Sequence, residues 1–228
     1  MNIIIINGSP RKSGRTATIL NEIYSHLKTK PFVNVQMIHL SEITLNFCTG
    51  CCHCYKTGLC IFKDDIESIS LQIATSDGVI LGSPTYASNV SSQMKLLIDR
   101  GHFVMEQLLY GKYAMSVATY ENYGGKDTAN ILNKLFTYSG ATISGTIVSK
   151  APYSVQAKND LSLPLRHSIC KKADKFYNDI FYKRKYRLQR IKHSILFHLG
   201  IYPFVTKKGD SYLGVKEHWK KRNIFKSL

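Results

Sequence analysis

Residues 2–6, Asn-Ile-Ile-Ile-Ile, form a short run of β-branched side chains. Such a run suits a strand buried on both faces in a parallel sheet. A loop with Gly8, Ser9 and Pro10 follows, and then a helical pattern with Ile19, Leu20, Ile23 and Leu27 on one face. A strand apolar on both sides needs a layer on each side, so this opening constrains the whole fold. The same alternation continues along the chain. Residues 33–40, 77–84, 113–119 and 141–148 read as four more strands. Helical patterns lie between them. One starts at Asp64, with Glu67 completing a capping-box pair and Ile66, Ile69, Ile73 and Ala74 facing inward; the others span 91–100 and about 126–137. Strands and helices in turn predict an α/β fold, a parallel sheet covered on both faces through right-handed crossovers. Leu165, Ile169, Ala173, Phe176 and Ile180 keep helical spacing and close the core.

Charge divides the chain differently. The 228 residues carry a formal net charge of +16. Residues 151–228 hold 18 Lys and Arg against 5 Asp and Glu, whereas residues 1–150 hold 13 against 10. The expected organisation is a core domain over 1–184 and a basic C-terminal helical arm over 185–228, an extension rather than a second domain. The apolar stretch 195–205 is interrupted by Gly200 and Pro203 and is too short to cross a bilayer. The N-terminal apolar run is too short for a signal peptide, which predicts a cytoplasmic protein with reduced thiols.

Open α/β sheets bind ligands at the carboxyl ends of their strands. The loop after the first strand, residues 7–16, offers Ser9, Ser13 and Thr16 hydroxyls, the Arg11 or Arg15 cation and the N-terminus of a helix. That combination suits a phosphate monoester, and Gly8 is expected to supply a sharp turn. The spacing fits neither a Walker loop nor a G-x-G-x-x-G fingerprint. An ordinary strand-to-helix turn capped by Ser13 is the other reading.

Three segments together carry a family resemblance: Gly-Ser-Pro-Arg-Lys-Ser-Gly-Arg-Thr (8–16), the stretch 82–100 that begins Gly-Ser-Pro-Thr-Tyr, and Thr-Tyr-Glu-Asn-Tyr-Gly-Gly (119–125). In order and spacing they resemble the NADPH-dependent FMN reductase family over roughly residues 1–150. The resemblance implies a flavodoxin-like, doubly wound five-stranded parallel sheet of order 2-1-3-4-5. It also implies FMN as cofactor, NAD(P)H as co-substrate and a homodimer, with dimers able to pair into tetramers. Carried over by position, it places the FMN phosphate at Ser9, Arg11, Ser13 and Thr16. The ring is placed against Pro84, Thr85, Tyr86, Ser88 and Asn89, with Thr119, Tyr120 and Gly124 on the third loop. Plain packing at the sheet edge is the other role open to Tyr86 and Tyr120. No protein acid or base is required, because the flavin carries the chemistry. The implied activity passes electrons from NAD(P)H through FMN to a quinone, nitro or azo compound or a protein acceptor.

Five of the six cysteines fall within residues 48–60. Cys48, Cys51, Cys54 and Cys60 are spaced C-x2-C-x2-C-x5-C, and Gly50 and Gly58 let the backbone curl around one centre. The spacing resembles that of iron–sulfur flavoproteins, which implies a [4Fe–4S] cluster and an electron-carrier alternative to the reductase. Zinc, a thiol redox pair such as Cys51–Cys54, or reduced thiols at an interface remain open alternatives. Cys52 fits neither spacing and is read as a spare thiol, His53 as a bystander and Cys170 as a small core residue.

The arm interleaves basic and aromatic residues at 183–193, a pattern that suits nucleic acid, and beside it an apolar run that suits an acidic membrane surface. Related reductases end in a similar tail with a tryptophan near a basic run, here Trp219. The resemblance therefore implies that the arm packs on a partner subunit and roofs the active site. Nucleic acid and membrane are not the expected partners. A basic binding protein on the same scaffold is the third functional class.

Overall fold

A computed structural model describes residues 1–151 and 160–224. The last four residues of the arm, 225–228, lie outside the described residues. Five strands, β1 (Asn2–Asn7), β2 (Asn34–His39), β3 (Gly78–Pro84), β4 (Tyr113–Tyr120) and β5 (Thr142–Lys150), form one sheet of order β2-β1-β3-β4-β5. Every pairing is parallel, so the architecture is the expected doubly wound one.

The isoleucine run explains the layers. Ile3 and Ile5 point to one face, into a core with Ile19, Leu20 and Ile23 of α1 (Arg15–Lys28) and Ile169 and Phe176 of α6 (Leu163–Phe181). Ile4 and Ile6 point to the other, toward α3 (Ile66–Thr75), α4 (Ser92–Arg100) and α5 (Gly125–Tyr138) through Ile69, Ile73, Met94, Leu97, Leu132 and Phe136. Each strand residue thus contributes to a core, which is why the run is apolar without alternation.

Three local expectations change. Asp64 serves the start of α3 from one position further out: the helix begins at Ile66 behind Asp65, whose own side chain makes no capping bond, and Asp64 Oδ1 accepts from the Ile66 N–H at 3.3 Å. The same carboxylate pairs with Arg100 at 2.7 Å and accepts from the Asn46 backbone N–H at 2.7 Å. Gly8 takes no left-handed turn. Its role is close approach, since a Cβ there would lie 2.9 Å from Met94 Cβ and 3.0 Å from the Gly82 carbonyl oxygen. Gly200 and Pro203 do not interrupt the arm. α7 (Arg187–Leu196) runs through a π-helical turn, Phe197–Ile201, into α8 (Tyr202–Lys207), with Pro203 in the first turn of α8.

The arm ends in α9 (Leu213–Lys221) and folds back on its own chain. Trp219, 1% exposed, packs with Phe197, Val205, Val215 and Ile224 against Tyr55, Met105 and Tyr110, and its indole N–H donates to the Met105 carbonyl at 2.8 Å. Within this chain the tryptophan is covered by the arm and by Tyr55, Met105 and Tyr110. Among the described residues no helix is long and apolar enough to cross a membrane.

Candidate functional site

Strand order reverses at β1, with β2 on one side and β3 on the other. The loops after β1, β3 and β4 open into the crevice this creates. The loop after β1 is built by local bonds. The buried Asn7 side chain accepts from the Ser9 N–H at 3.0 Å and contacts His39 at 3.0 Å. The Ser9 hydroxyl accepts from the Arg11 N–H at 3.1 Å. These bonds turn the chain into α1, whose N-cap Gly14 makes no side-chain bond and whose first turn has no carboxylate. That leaves N–H groups and a positive dipole end facing the loop, which suits an anion. Ser13 does not cap the helix, and the Arg11 and Ser13 side chains are exposed.

The second loop is a tight turn. Tyr86 and Asn89 exchange two backbone hydrogen bonds of 3.0 Å, with Ala87 (φ 48°) and Ser88 (φ 59°) both left-handed between them. The Thr85 N–H donates to the Thr119 carbonyl at 2.7 Å, tying this turn to the end of β4. The Thr85 hydroxyl is buried without a hydrogen-bond partner. Across from it, Gly124 (φ 79°) lies so close that a Cβ would meet Ser88 Oγ at 2.6 Å. Gly125 is equally tight against the Tyr120 ring, at 2.3 Å.

The twelve expected flavin residues lie on or beside the loops after β1, β3 and β4, and not all are free to bind. The Thr16 and Thr119 hydroxyls bond each other at 2.6 Å in the interior, and Ser9 is 3% exposed and shapes the loop. Ser83 and Ser91 were not legible as site residues. The Ser91 hydroxyl donates to the Gly8 carbonyl at 2.5 Å and accepts from Met94 N–H as the cap of α4, while Ser83 accepts from the Ser91 N–H at 2.9 Å. Together they fasten the β3 loop to the phosphate loop. Only a serine at a helix start hinted at this. The uncapped α1 terminus and the orphaned Thr85 hydroxyl fit a flavin mononucleotide.

The cysteine loop lies over the C-terminal end of α4. Residues 44–52 lack regular structure, and the short α2 (His53–Thr57) follows. Arg100 reaches in from α4: its guanidinium donates to Cys60 Sγ at 3.2 Å, to the Asn46 carbonyl at 2.5 Å and to both Asp64 oxygens, and lies 5.2 Å from the Phe62 ring centre. His102 pairs with Glu106, 3.0 Å away. Burial alone would lower the imidazole pKa, yet Cys54 and Glu106 beside it raise it to about 10. Glu106 also meets His218 of α9 at 2.5 Å, so the arm completes this buried cluster. The Tyr55 phenol is pushed up to about 12, by burial first and then by Cys54, Tyr212, Cys52 and Cys48 around it. Tyr55 stacks on Tyr212 of the arm with ring centres 4.7 Å apart.

All six cysteines are free thiols, and Cys48, Cys51 and Cys52 are exposed. Four thiols on one loop, two of them facing a cation, are a donor set suited to a thiolate-held cluster. Among the described residues, no three His, Cys, Asp or Glu side chains converge on a single metal position. Cys170 departs from its core expectation: it is half-buried, 3.8 Å from Glu22, and burial together with that carboxylate pushes its thiol pKa up.

A doubly wound sheet with an anion-receptive helix terminus and a glycine-walled crevice at its switch point defines a flavodoxin-like, FMN-dependent oxidoreductase. The chain belongs to the NADPH-dependent FMN reductase family, whose model matches residues 1–154. An iron–sulfur flavoprotein of Clostridioides difficile is 34% identical over 227 residues, covering 98% of this chain and 100% of that one. A second iron–sulfur flavoprotein, from Archaeoglobus fulgidus, is 35% identical over 153 residues, 65% of this chain and 68% of its own. Among solved structures, the apo form of NADH:FMN oxidoreductase EMOB superposes with a TM-score of 0.59 at 14% identity, over 83% of this chain and 93% of that one.

Proposed function

We propose that this chain takes electrons from NAD(P)H on a bound FMN and passes them to a quinone, nitro or azo compound or a redox protein. The carrying observation is the carboxyl end of the sheet at its switch point, where the loops after β1, β3 and β4 hold the uncapped α1 terminus and the partnerless Thr85 hydroxyl. FMN, when bound, supplies the hydride and electron chemistry. The chain's own residues bind and orient it. Arg11, Ser13 and the α1 N–H groups meet the phosphate, while Ser9 and Thr16 hold the loop in shape. Pro84, Thr85, Tyr86, Ser88 and Asn89 form one wall for the ring, and Thr119, Tyr120 and Gly124 the other. A homodimer would place a second chain beside this opening, in a reducing cytoplasm that keeps the thiols free. Residues 185–228 serve as a cover on the 1–184 domain rather than as a second folding unit.

The test is anaerobic titration of the protein with FMN and then with NADPH and NADH. Stoichiometric FMN binding, followed by bleaching of the flavin absorbance with either nucleotide, is expected. Arg11→Gln with Ser13→Ala should weaken FMN binding about tenfold, the loss of charged hydrogen bonds to one phosphate. Absence of FMN binding would refute the proposal.

A second reading is favoured by the Clostridioides difficile relative, whose similarity spans the cysteine stretch. In it, Cys48, Cys51, Cys54 and Cys60 hold a [4Fe–4S] cluster and the chain is an electron carrier. Iron and acid-labile sulfide near four per chain after anaerobic purification are expected. Metal-free protein that oxidises NADPH at full rate counts against it.

A further inference from the structure

We propose that the outer face of the C-terminal arm is a docking surface for an anionic lipid bilayer. The inner face of α7 is fully used. Gln189 bonds the Ile143 backbone N–H at 2.7 Å and its carbonyl at 3.0 Å, and His193 contacts Gln107 at 2.7 Å. The opposite face carries Leu188, Ile191, Ile195 and Leu199, at intervals of one helical turn along α7 and the π turn. Leu188 is 82% and Leu199 78% exposed, and Ile191 and Ile195 about half. This aliphatic stripe has no role in the core.

Charge identifies what covers it. Residues 180–209 hold eight Lys and Arg and no Asp or Glu. Beside the stripe, an open cavity of about 930 Å³ lies at the end of the sheet opposite the flavin crevice. Lys183, Arg184, Lys185, Arg187 and Arg190 line it, beside Lys112, whose ammonium donates to the Ala74 and Ser76 carbonyls. Asp77 is the one carboxylate among the lining residues described, and it is already engaged by the Asn2 N–H at 2.8 Å. α7 starts at this cavity with no side-chain cap. A cationic hollow next to exposed aliphatic side chains matches an anionic headgroup next to acyl chains. A second copy offers no complement, because the chain is +16 overall and even residues 1–150 hold 13 Lys and Arg against 10 Asp and Glu. A nucleic acid would use the cations but has no use for an aliphatic stripe, since bases stack on aromatic faces. The association is peripheral, and it leaves the flavin crevice facing water.

The full chain, loaded with FMN, is floated with vesicles of phosphatidylcholine alone and with vesicles that also contain phosphatidylglycerol. Binding to the anionic vesicles only, weakened by salt, is expected. Leu188→Glu with Ile195→Glu should lower that binding at least about tenfold, with the flavin absorbance and melting temperature unchanged. Arg187→Gln with Arg190→Gln should weaken binding and flatten its salt dependence. The proposal is overturned by no binding to anionic vesicles or by full binding of the Glu variant. It is also overturned if the wild-type chain forms dimers that the Glu variant splits, or if single-stranded RNA binds both proteins equally and displaces the vesicles.

Discussion

Ala87 and Ser88 occupy left-handed backbone one after the other, a mirror-image tight turn in which glycine or asparagine would be easier. Each costs about 1–3 kcal/mol, a strain typical of ligand-contacting turns. Gly124 is the counterpart that lets this turn close on the β4 loop. With a φ of 79° and Ser88 in the way, Gly124→Ala should destabilise the protein by about 1–3 kcal/mol. FMN affinity should fall about tenfold, read by thermal melting and flavin titration. Asp64 makes a second residue-scale prediction. Burial disfavours its charge, but Arg100 and the Asn46 and Ile66 bonds bring its pKa from 3.8 down to about 2. The folded value lies below the unfolded one, so the ionised pair stabilises the fold above about pH 4, and that contribution is lost as pH falls toward 2. The difference is about 2 kcal/mol, measurable by denaturant unfolding between pH 5 and 2. Asp64→Asn should abolish that slope and lower stability by about 3 kcal/mol, because Arg100 remains buried without its counter-charge.

At the scale of elements, α2 depends on α9. Five residues are too few to hold a helix in water, and none of its side chains is buried. α9 supplies the support through glycine on glycine: a Cβ on Gly214 would lie 2.2 Å from the Gly58 backbone nitrogen. Gly214→Ala should therefore lift the arm from the cysteine loop, costing about 2 kcal/mol or more. Limited proteolysis should then cut within residues 44–60 and after residue 182 faster than in the wild type. The five strands were legible because runs such as residues 2–6 have only one use. The arm was not. Gly200 and Pro203 read as breaks, yet a π turn and a first-turn position absorb them. The carbonyl partner of Trp219, Met105, is 114 positions away, beyond any local pattern. In the site, Gly124 and Thr85 stood in recognisable loops. The Thr16–Thr119 bond joins two strands' ends and becomes visible only with the fold.

At the scale of the molecule, the sheet separates two chemistries. Its carboxyl-terminal edge holds the anion-receptive crevice, and its amino-terminal edge the basic cavity beside α7. The cysteine loop lies under the arm, where Tyr212, His218 and Gly214 hold Tyr55, Glu106 and Gly58. That fastening has a consequence in time. Synthesis proceeds from the N-terminus, so the five clustered thiols leave the ribosome long before α9 exists to close over them. The sheet can form while they stand open, and the loop reaches its final shape only once Gly214 and Trp219 have emerged. The emergence of α9 therefore sets the interval during which those thiols can still be reached.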